Sequence, residues 1–284
     1  MRPALETDGL GVRYRRSWAL RDCSLSVPAG RVAALVGPNG AGKTTLMHAV
    51  VGMLKPTCGS IMVHGEAAFV AQDRPLSERF TAAEMLTFGR RVNSGFDDGA
   101  ARDRLGRLGV PLDRKVGVLS GGQRAQVAIT LAMARRPDLL VLDEPLANLD
   151  PLARHDVMRS IMAEAAEREL TVLLSSHVVA DIEETCDWLV MLNDGRLQVS
   201  GDIEELLADH YILTGATELT GTMTAGAAVV SASGAGRQAE LLVRGEPALD
   251  PRWQVRRAGL ADLVMGYLRS PESAALPGPA GVSA

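Results

Sequence analysis

Aromatic residues are scarce in this chain, at 4% of 284 positions, and cysteine occurs only as Cys23, Cys58 and Cys186. An odd, widely spaced set of thiols with no CxxC pair excludes a disulfide framework and a zinc site of paired cysteines. It fits reduced thiols in the cytosol. No run approaches the roughly 20 mostly apolar residues that cross a bilayer. The longest uncharged stretch, Leu219 to Gly236, is built largely from Gly, Ser, Thr and Ala. The opening MRPALETDG has no apolar core of the signal-peptide kind. Charge of one sign is not in excess, with 30 Lys and Arg against 34 Asp and Glu for a net −4. That balance argues against a general nucleic-acid or anionic-membrane binder, so no nucleic-acid partner is expected. No internal repeat is visible. A cytoplasmic protein is expected, held at any membrane only by another chain.

The remaining composition, 46% apolar and 23% charged, is that of a folded domain with a substantial core. Four short runs, Val32–Val36, Leu139–Leu142, Thr171–Leu174 and Trp188–Leu192, are nearly continuous in apolar character. Strands covered on both faces by helices read this way. Ser60–Val63 and Ala67–Val70 are candidates for an antiparallel flank. Helix starts are marked by Thr81-Ala-Ala-Glu84, Ser120-Gly-Gly-Gln123 and Asp202-Ile-Glu-Glu205, each fitting a capping box, and by Asp150 before Pro151. The pattern predicts an α/β domain over residues 4–208, with a helical subdomain at about 73–120. Residues 209–270 follow as a small α+β appendix closing on an amphipathic helix at Leu260–Leu268. Residues 271–284, PESAALPGPAGVSA, read as a disordered tail.

The strand Val32–Val36 runs directly into Gly37-Pro-Asn-Gly-Ala-Gly-Lys-Thr44, and a helical pattern begins near Lys43. This is the strand–GxxxxGK[ST]–helix context of a phosphate-binding loop. Gly37, Gly40 and Gly42 let backbone N–H groups converge on phosphate oxygens, with Asn39, Ala41 and Thr45 completing the cradle, and the helix start adds positive potential. Lys43 is placed to reach the outer phosphates and the Thr44 hydroxyl to bind Mg²⁺. The loop alone is shared by ATPases, GTPases and kinases. Leu139–Leu142 then ends in Asp143 and Glu144, which suit a metal-holding carboxylate and a group that orients or deprotonates water. Between the two lies Leu119-Ser-Gly-Gly-Gln123, a serine-capped helix start that is itself a good anion site.

With these three motifs in this order the chain resembles the ATP-binding-cassette ATPases over roughly residues 4–208. LSGGQ matches that family's signature. The resemblance implies further roles: Tyr14 stacks on adenine, Gln72 connects Mg²⁺ and the attacking water to a transport partner, Asp150 lies in the loop crossing a dimer interface, and His177 contacts the γ-phosphate. It implies a P-loop fold with an antiparallel β flank, ATP and Mg²⁺ as cofactors, and a head-to-tail pair of cassettes, homodimeric or heterodimeric. In that pair Ser120, Gly121, Gly122 and Gln123 of one cassette face nucleotide bound by the other. Integral-membrane permease subunits are the implied partners, with the chain peripheral on the inner face of the membrane. The helix GLADLVMGYLRS and the stretch from Arg74 to Asp97 are similar to those of bacterial drug, antibiotic and lipid exporter subunits. A soluble cassette that remodels or assembles macromolecules, in iron–sulfur assembly or cell division, is the alternative. Phe80–Arg91, with Leu86 and Phe88, reads equally as a docking face or as a core stripe.

Overall fold

The expected apolar runs become strands whose ends meet at one place. A computed structural model describes residues 2–222, 227–247 and 251–276. The chain opens with a long antiparallel hairpin, β1 (Pro3–Tyr14) and β2 (Ser17–Pro28), followed by the fully buried β3 (Val32–Val36) and the helix α1 (Lys43–Val50). Next come β4 (Cys58–Val63), β5 (Ala67–Val70), and a lobe of three helices, α2 (Ala82–Val92), α3 (Asp98–Arg107) and α4 (Gly121–Met133). The core then resumes with β6 (Leu139–Leu142), α5 (Pro151–Arg168), β7 (Thr171–Ser175), the short α6 (Val179–Glu183), β8 (Trp188–Asn193), β9 (Arg196–Asp202) and α7 (Ile203–Ala208). The chain continues through β10 (His210–Ala216), β11 (Ala228–Ala235), β12 (Gln238–Arg244), β13 (Gln254–Arg257) and α8 (Leu260–Arg269).

Three sheets result. A six-stranded sheet, β5-β6-β7-β3-β8-β9, is parallel except for β9, which runs antiparallel to β8. Because β3, β6 and β7 are parallel neighbours, their carboxyl ends fall on one edge, where open α/β sheets bind ligands. The hairpin and β4 form a separate antiparallel sheet, ordered β2-β1-β4. The expectation for Ala67–Val70 is corrected here: it joins the central sheet parallel to β6 and is not part of the antiparallel flank. Its alternating burial places Ala68 and Val70 under α4 and α5 while Phe69 packs on the opposite face. So short a run carries no sign of which sheet it enters.

The helical lobe has its own core, with Met85, Leu86, Leu105, Val116 and Val127 buried together. Capping boxes start both α2 and α4, with the Thr81 and Ser120 hydroxyls accepting from Glu84 and Gln123 N–H. Leu86 of α2 is core, whereas Phe88 of α2 and Phe80, just before the helix, are exposed. The core-stripe reading therefore holds for Leu86 and not for the two phenylalanines.

Residues beyond 208 add a second antiparallel sheet, β11-β12-β10-β13. Their packing crosses the boundary expected there. Leu260, Leu263, Val264 and Tyr267 of α8 are buried against Ala34 and Val36 of β3 and Leu189 and Met191 of β8. The tail expected to be disordered is corrected in its first part: Ala275 bridges Val199 of β9 and exchanges backbone hydrogen bonds with Gln198 and Ser200. Residues 277–284 lie outside the described residues. His210, fully buried, makes its ring contacts to the Leu206 carbonyl at 2.6 Å and the Tyr267 hydroxyl at 2.8 Å. Burial pushes the His210 pKa down and that of Tyr267 up to about 12. Tyr267→Phe should leave one imidazole nitrogen without a partner and cost about 1–3 kcal/mol, measurable as a shifted midpoint in urea unfolding.

Candidate active site

The loop between β3 and α1 is shaped by what a side chain would hit. Gly42 caps α1 with φ of 102°, and a Cβ there would lie 2.5 Å from the Ala19 carbonyl oxygen. Left-handed backbone and close approach together require glycine. Lys43 follows, 8% exposed, with Nζ donating to the carbonyls of Gly37 at 2.7 Å and Pro38 at 3.2 Å. Burial lowers the Lys43 pKa while the charges of Glu144 and Asp143 oppose that shift. The ammonium is thus folded back on its own loop at the mouth of the helix N-terminus.

The neighbouring strand ends supply the acids. Thr44 Oγ1 donates to Asp143 Oδ2 at 2.8 Å, and Ser175 Oγ, at the end of β7, donates to Asp143 Oδ1 at 2.8 Å. The same serine hydroxyl accepts from the Glu144 N–H at 2.7 Å. Glu144 stands in left-handed backbone with φ of 44°, an uncommon conformation for a non-glycine residue that clusters at functional sites. The Nδ1 atom of His177 lies 3.2 Å from Glu144 Oε2, and the imidazole is 62% exposed. These groups share one open cleft of about 590 Å³, lined by Asn39, Gly40, Gly42, Lys43, Thr44, Thr45, Gln72, Asp143, Glu144 and His177. Gly37 and Ala41 support it from beneath, the first through its carbonyl to Lys43 and the second as a buried packing group.

Other expected residues stand elsewhere. Tyr14, half exposed at the end of β1, is not in the cleft lining, whereas Ala19 of β2 is. Ser120, Gly122 and Gln123 line a second cleft of about 400 Å³ together with Ala153 of α5. There the helix starts press together: a Cβ on Gly122 would stand 3.0 Å from that of Ala153, and one on Gly121 would stand 3.2 Å from Leu149. Asp150 caps α5 by accepting from the Ala153 N–H at 3.0 Å.

Two residues escaped the motif reading. Ser175 is wholly buried and holds both acids. Its signal is a hydroxyl closing an otherwise apolar strand, TVLLS. Arg74, two positions after Gln72, donates through Nη2 to the carbonyls of Pro145 and Ala147, both at 2.9 Å. It joins the Gln72 loop to the loop that follows Glu144, and sequence alone offers no hint of that pairing. Ser175→Ala should strand the Glu144 N–H and one Asp143 oxygen, costing about 1–3 kcal/mol of stability. Calorimetric melting checks the stability loss, and a magnesium titration of nucleotide affinity should show a raised metal requirement.

The donor set suits magnesium. Thr44, Asp143 and Gln72 offer hard oxygen ligands, and the described residues contain no group of three His, Cys, Asp or Glu able to hold a metal. Magnesium bound by one or two protein oxygens, with phosphate and water completing its shell, is the usual pattern at phosphoryl-transfer sites.

A strand, a glycine loop and a helix start facing paired acids at the end of β6, one strand removed from β3 in the same parallel sheet, define a P-loop nucleoside triphosphatase. Residues 20–147 match the family described as ABC transporter. The uncharacterized ABC transporter ATP-binding protein YxlF of Bacillus subtilis is 32% identical over 215 residues, covering 71% of this chain and 72% of YxlF. The Nod factor export ATP-binding protein I of Ralstonia nicotianae is 34% identical over 241 residues, 77% of this chain and 73% of that one. Phosphonate import ATP-binding proteins match at similar identity. A solved ATP-binding subunit of an ABC transporter superposes with a TM-score of 0.64 at 28% identity, covering 72% of this chain and 92% of the other. The chain belongs to the ATP-binding-cassette family of transporter ATPases, with ATP as nucleotide and Mg²⁺ as metal. No helix among the described residues is long and apolar enough to cross a membrane.

Proposed function

We propose that this chain is the energy-coupling subunit of an ABC exporter whose membrane-spanning chains are separate, and that it hydrolyses ATP as one of two head-to-tail cassettes. The observation that carries the pairing is the separation of the motif sets. Lys43, Asp143, Glu144 and His177 line one cleft, and Ser120 and Gly122 line another. A second cassette, a copy of this chain or a related one, supplies the missing half. Its serine-capped helix start faces the γ-phosphate and adds N–H donors that neither half-site has alone.

In this reading Lys43 and the backbone N–H groups of the loop hold the β- and γ-phosphates. Thr44, Asp143 and Gln72 would hold Mg²⁺, which when bound neutralises phosphate charge. Glu144 orients the attacking water and accepts its proton, and the exposed edge of His177 is free to meet the γ-phosphate. Closure excludes water from the charged site, and hydrolysis releases the pair. An apolar groove of about 310 Å³, lined by Met53, Phe69, Leu76 and Leu131 beside Arg74, supports a docking place for the membrane partner next to Gln72. Such a partner would place the chain on the cytoplasmic face of a membrane. Export is favoured over import by the exporter-like closing helix and Arg74–Asp97 stretch.

The pairing is tested by mixing two chains that each carry one introduced cysteine, Asn39→Cys and Ser120→Cys, both with Cys58→Ser and Cys186→Ser to remove the native thiols that are not fully buried. A disulfide between the two chains that depends on Mg-ATP is the expected result, and cross-linking indifferent to nucleotide would sink the pairing. Transport by vesicles containing the membrane partner, with this chain added on one side, decides the direction.

A further inference from the structure

Away from the cleft, one buried cation ties three helices together. Arg104 of α3 is 5% exposed. Its Nη1 donates to Gln126 Oε1 at 3.1 Å and to Thr130 Oγ1 at 2.7 Å, both on α4. Its Nη2 donates to Ser160 Oγ at 3.0 Å on α5, and its Nε lies 3.7 Å from Glu164 Oε2 on the same helix. The Ser160 hydroxyl in turn lies 3.1 Å from Gln126 Oε1, so α4 and α5 are also joined directly. Glu164 has a second cation in Arg168, at 3.0 Å. Burial lowers the Arg104 pKa to about 10, against the pull of Glu164, leaving it charged at neutral pH.

Apolar side chains of similar volume would hold three helices together about as well as a buried ion pair does. They would also let the helices slide. A planar guanidinium with its donors in a fixed fork permits far fewer arrangements. What it fixes is the crossing of α4 and α5, the two helices whose first turns carry Ser120 and Asp150. Gln126 is about 9 Å along α4 from Ser120, at roughly 1.5 Å per residue. The close approach of Gly122 to Ala153 shows that the two helix starts have no slack between them.

We propose that Arg104 is a positioning residue for ATP-driven closure, holding α4 against α5 so that Ser120 and Asp150 meet the second cassette as one rigid surface. The proposal rests on the two-cassette reading above. It is tested in the full-length Glu144→Gln chain by adding Arg104→Met or Arg104→Lys. Three measurements are made: melting temperature, affinity of the dilute monomer for a fluorescent ATP analogue, and Mg-ATP-dependent dimerisation by analytical ultracentrifugation. The expected result is monomer affinity within about twofold of the parent and dimerisation weakened about tenfold or more. Should Arg104→Met fail to fold, Arg104→Lys keeps the charge beside Glu164 and removes only the fork. Dimerisation within twofold of the parent in a folded variant overturns the proposal. So does a loss of monomer affinity equal to the loss of dimerisation, since that places the defect in the cradle. A Glu144→Gln parent that stays monomeric overturns the pairing itself, and is recognised before any change at Arg104.

Discussion

Glu144→Gln should bind Mg-ATP with near-native affinity, hydrolyse it at least about 100-fold more slowly, and accumulate as a nucleotide-trapped pair. The magnitude is what loss of a positioned general base costs. The geometry gives the reason for selective damage. Glu144 enters the cleft from a left-handed residue whose N–H is held by Ser175, and its carboxylate meets His177. The amide keeps the shape and the backbone contact but cannot accept a proton as the carboxylate does. Phosphate contacts from the glycine loop are untouched. Steady-state phosphate release and size-exclusion chromatography in Mg-ATP read the two halves of the result. Turnover within a few-fold of the native chain would remove Glu144 from its role.

Lys43→Ala should fail earlier in the cycle, at binding. The ammonium is a buried charge at the helix mouth, satisfied by the Gly37 and Pro38 carbonyls and the field of two acids. Triphosphate oxygens replace those carbonyl contacts with charge-assisted ones, each worth about 1.5–3 kcal/mol. Nucleotide affinity should therefore fall about 10- to 100-fold. Isothermal titration with a non-hydrolysable ATP analogue measures it, and an affinity within twofold of native would show that the backbone cradle binds phosphate unaided. The two variants separate binding from chemistry: Lys43→Ala should bind weakly and so pair only at raised nucleotide concentration, and Glu144→Gln should bind and pair without turning over.

Much of this site is legible in the sequence because its parts are local. The glycine loop needs residues that tolerate positive φ within a few positions, and it leaves a pattern no ordinary turn has. Asp143-Glu144 and the Ser120–Gln123 capping box are likewise written in neighbouring letters. What escapes the sequence is contact between distant segments. Ser175 joins Asp143 across 32 positions and Arg74 joins Pro145 across 71, and nothing in either stretch announces its partner. Ala67–Val70 was misplaced for the same reason, since a strand's own residues do not say which neighbour it takes. Ala275 on β9 shows the limit of composition: a stretch rich in Ala and Pro reads as solvent-loving until a sheet edge accepts it.

The position of β3 has a consequence for how the protein is made. Its two neighbours are β7 and β8, so the register pairs Val32 with Val172 and Ala33 with Trp188. A chain leaving the ribosome at about 5–20 residues per second holds the phosphate loop for several seconds before either neighbour has emerged. The strand behind that loop can pack on the hairpin and α1 but lacks both hydrogen-bonding neighbours in the interval, and pairings this remote in sequence are slow to close. Nucleotide capture is thus deferred until most of the chain has been translated, and a nascent fragment ending before residue 171 should hold no ATP.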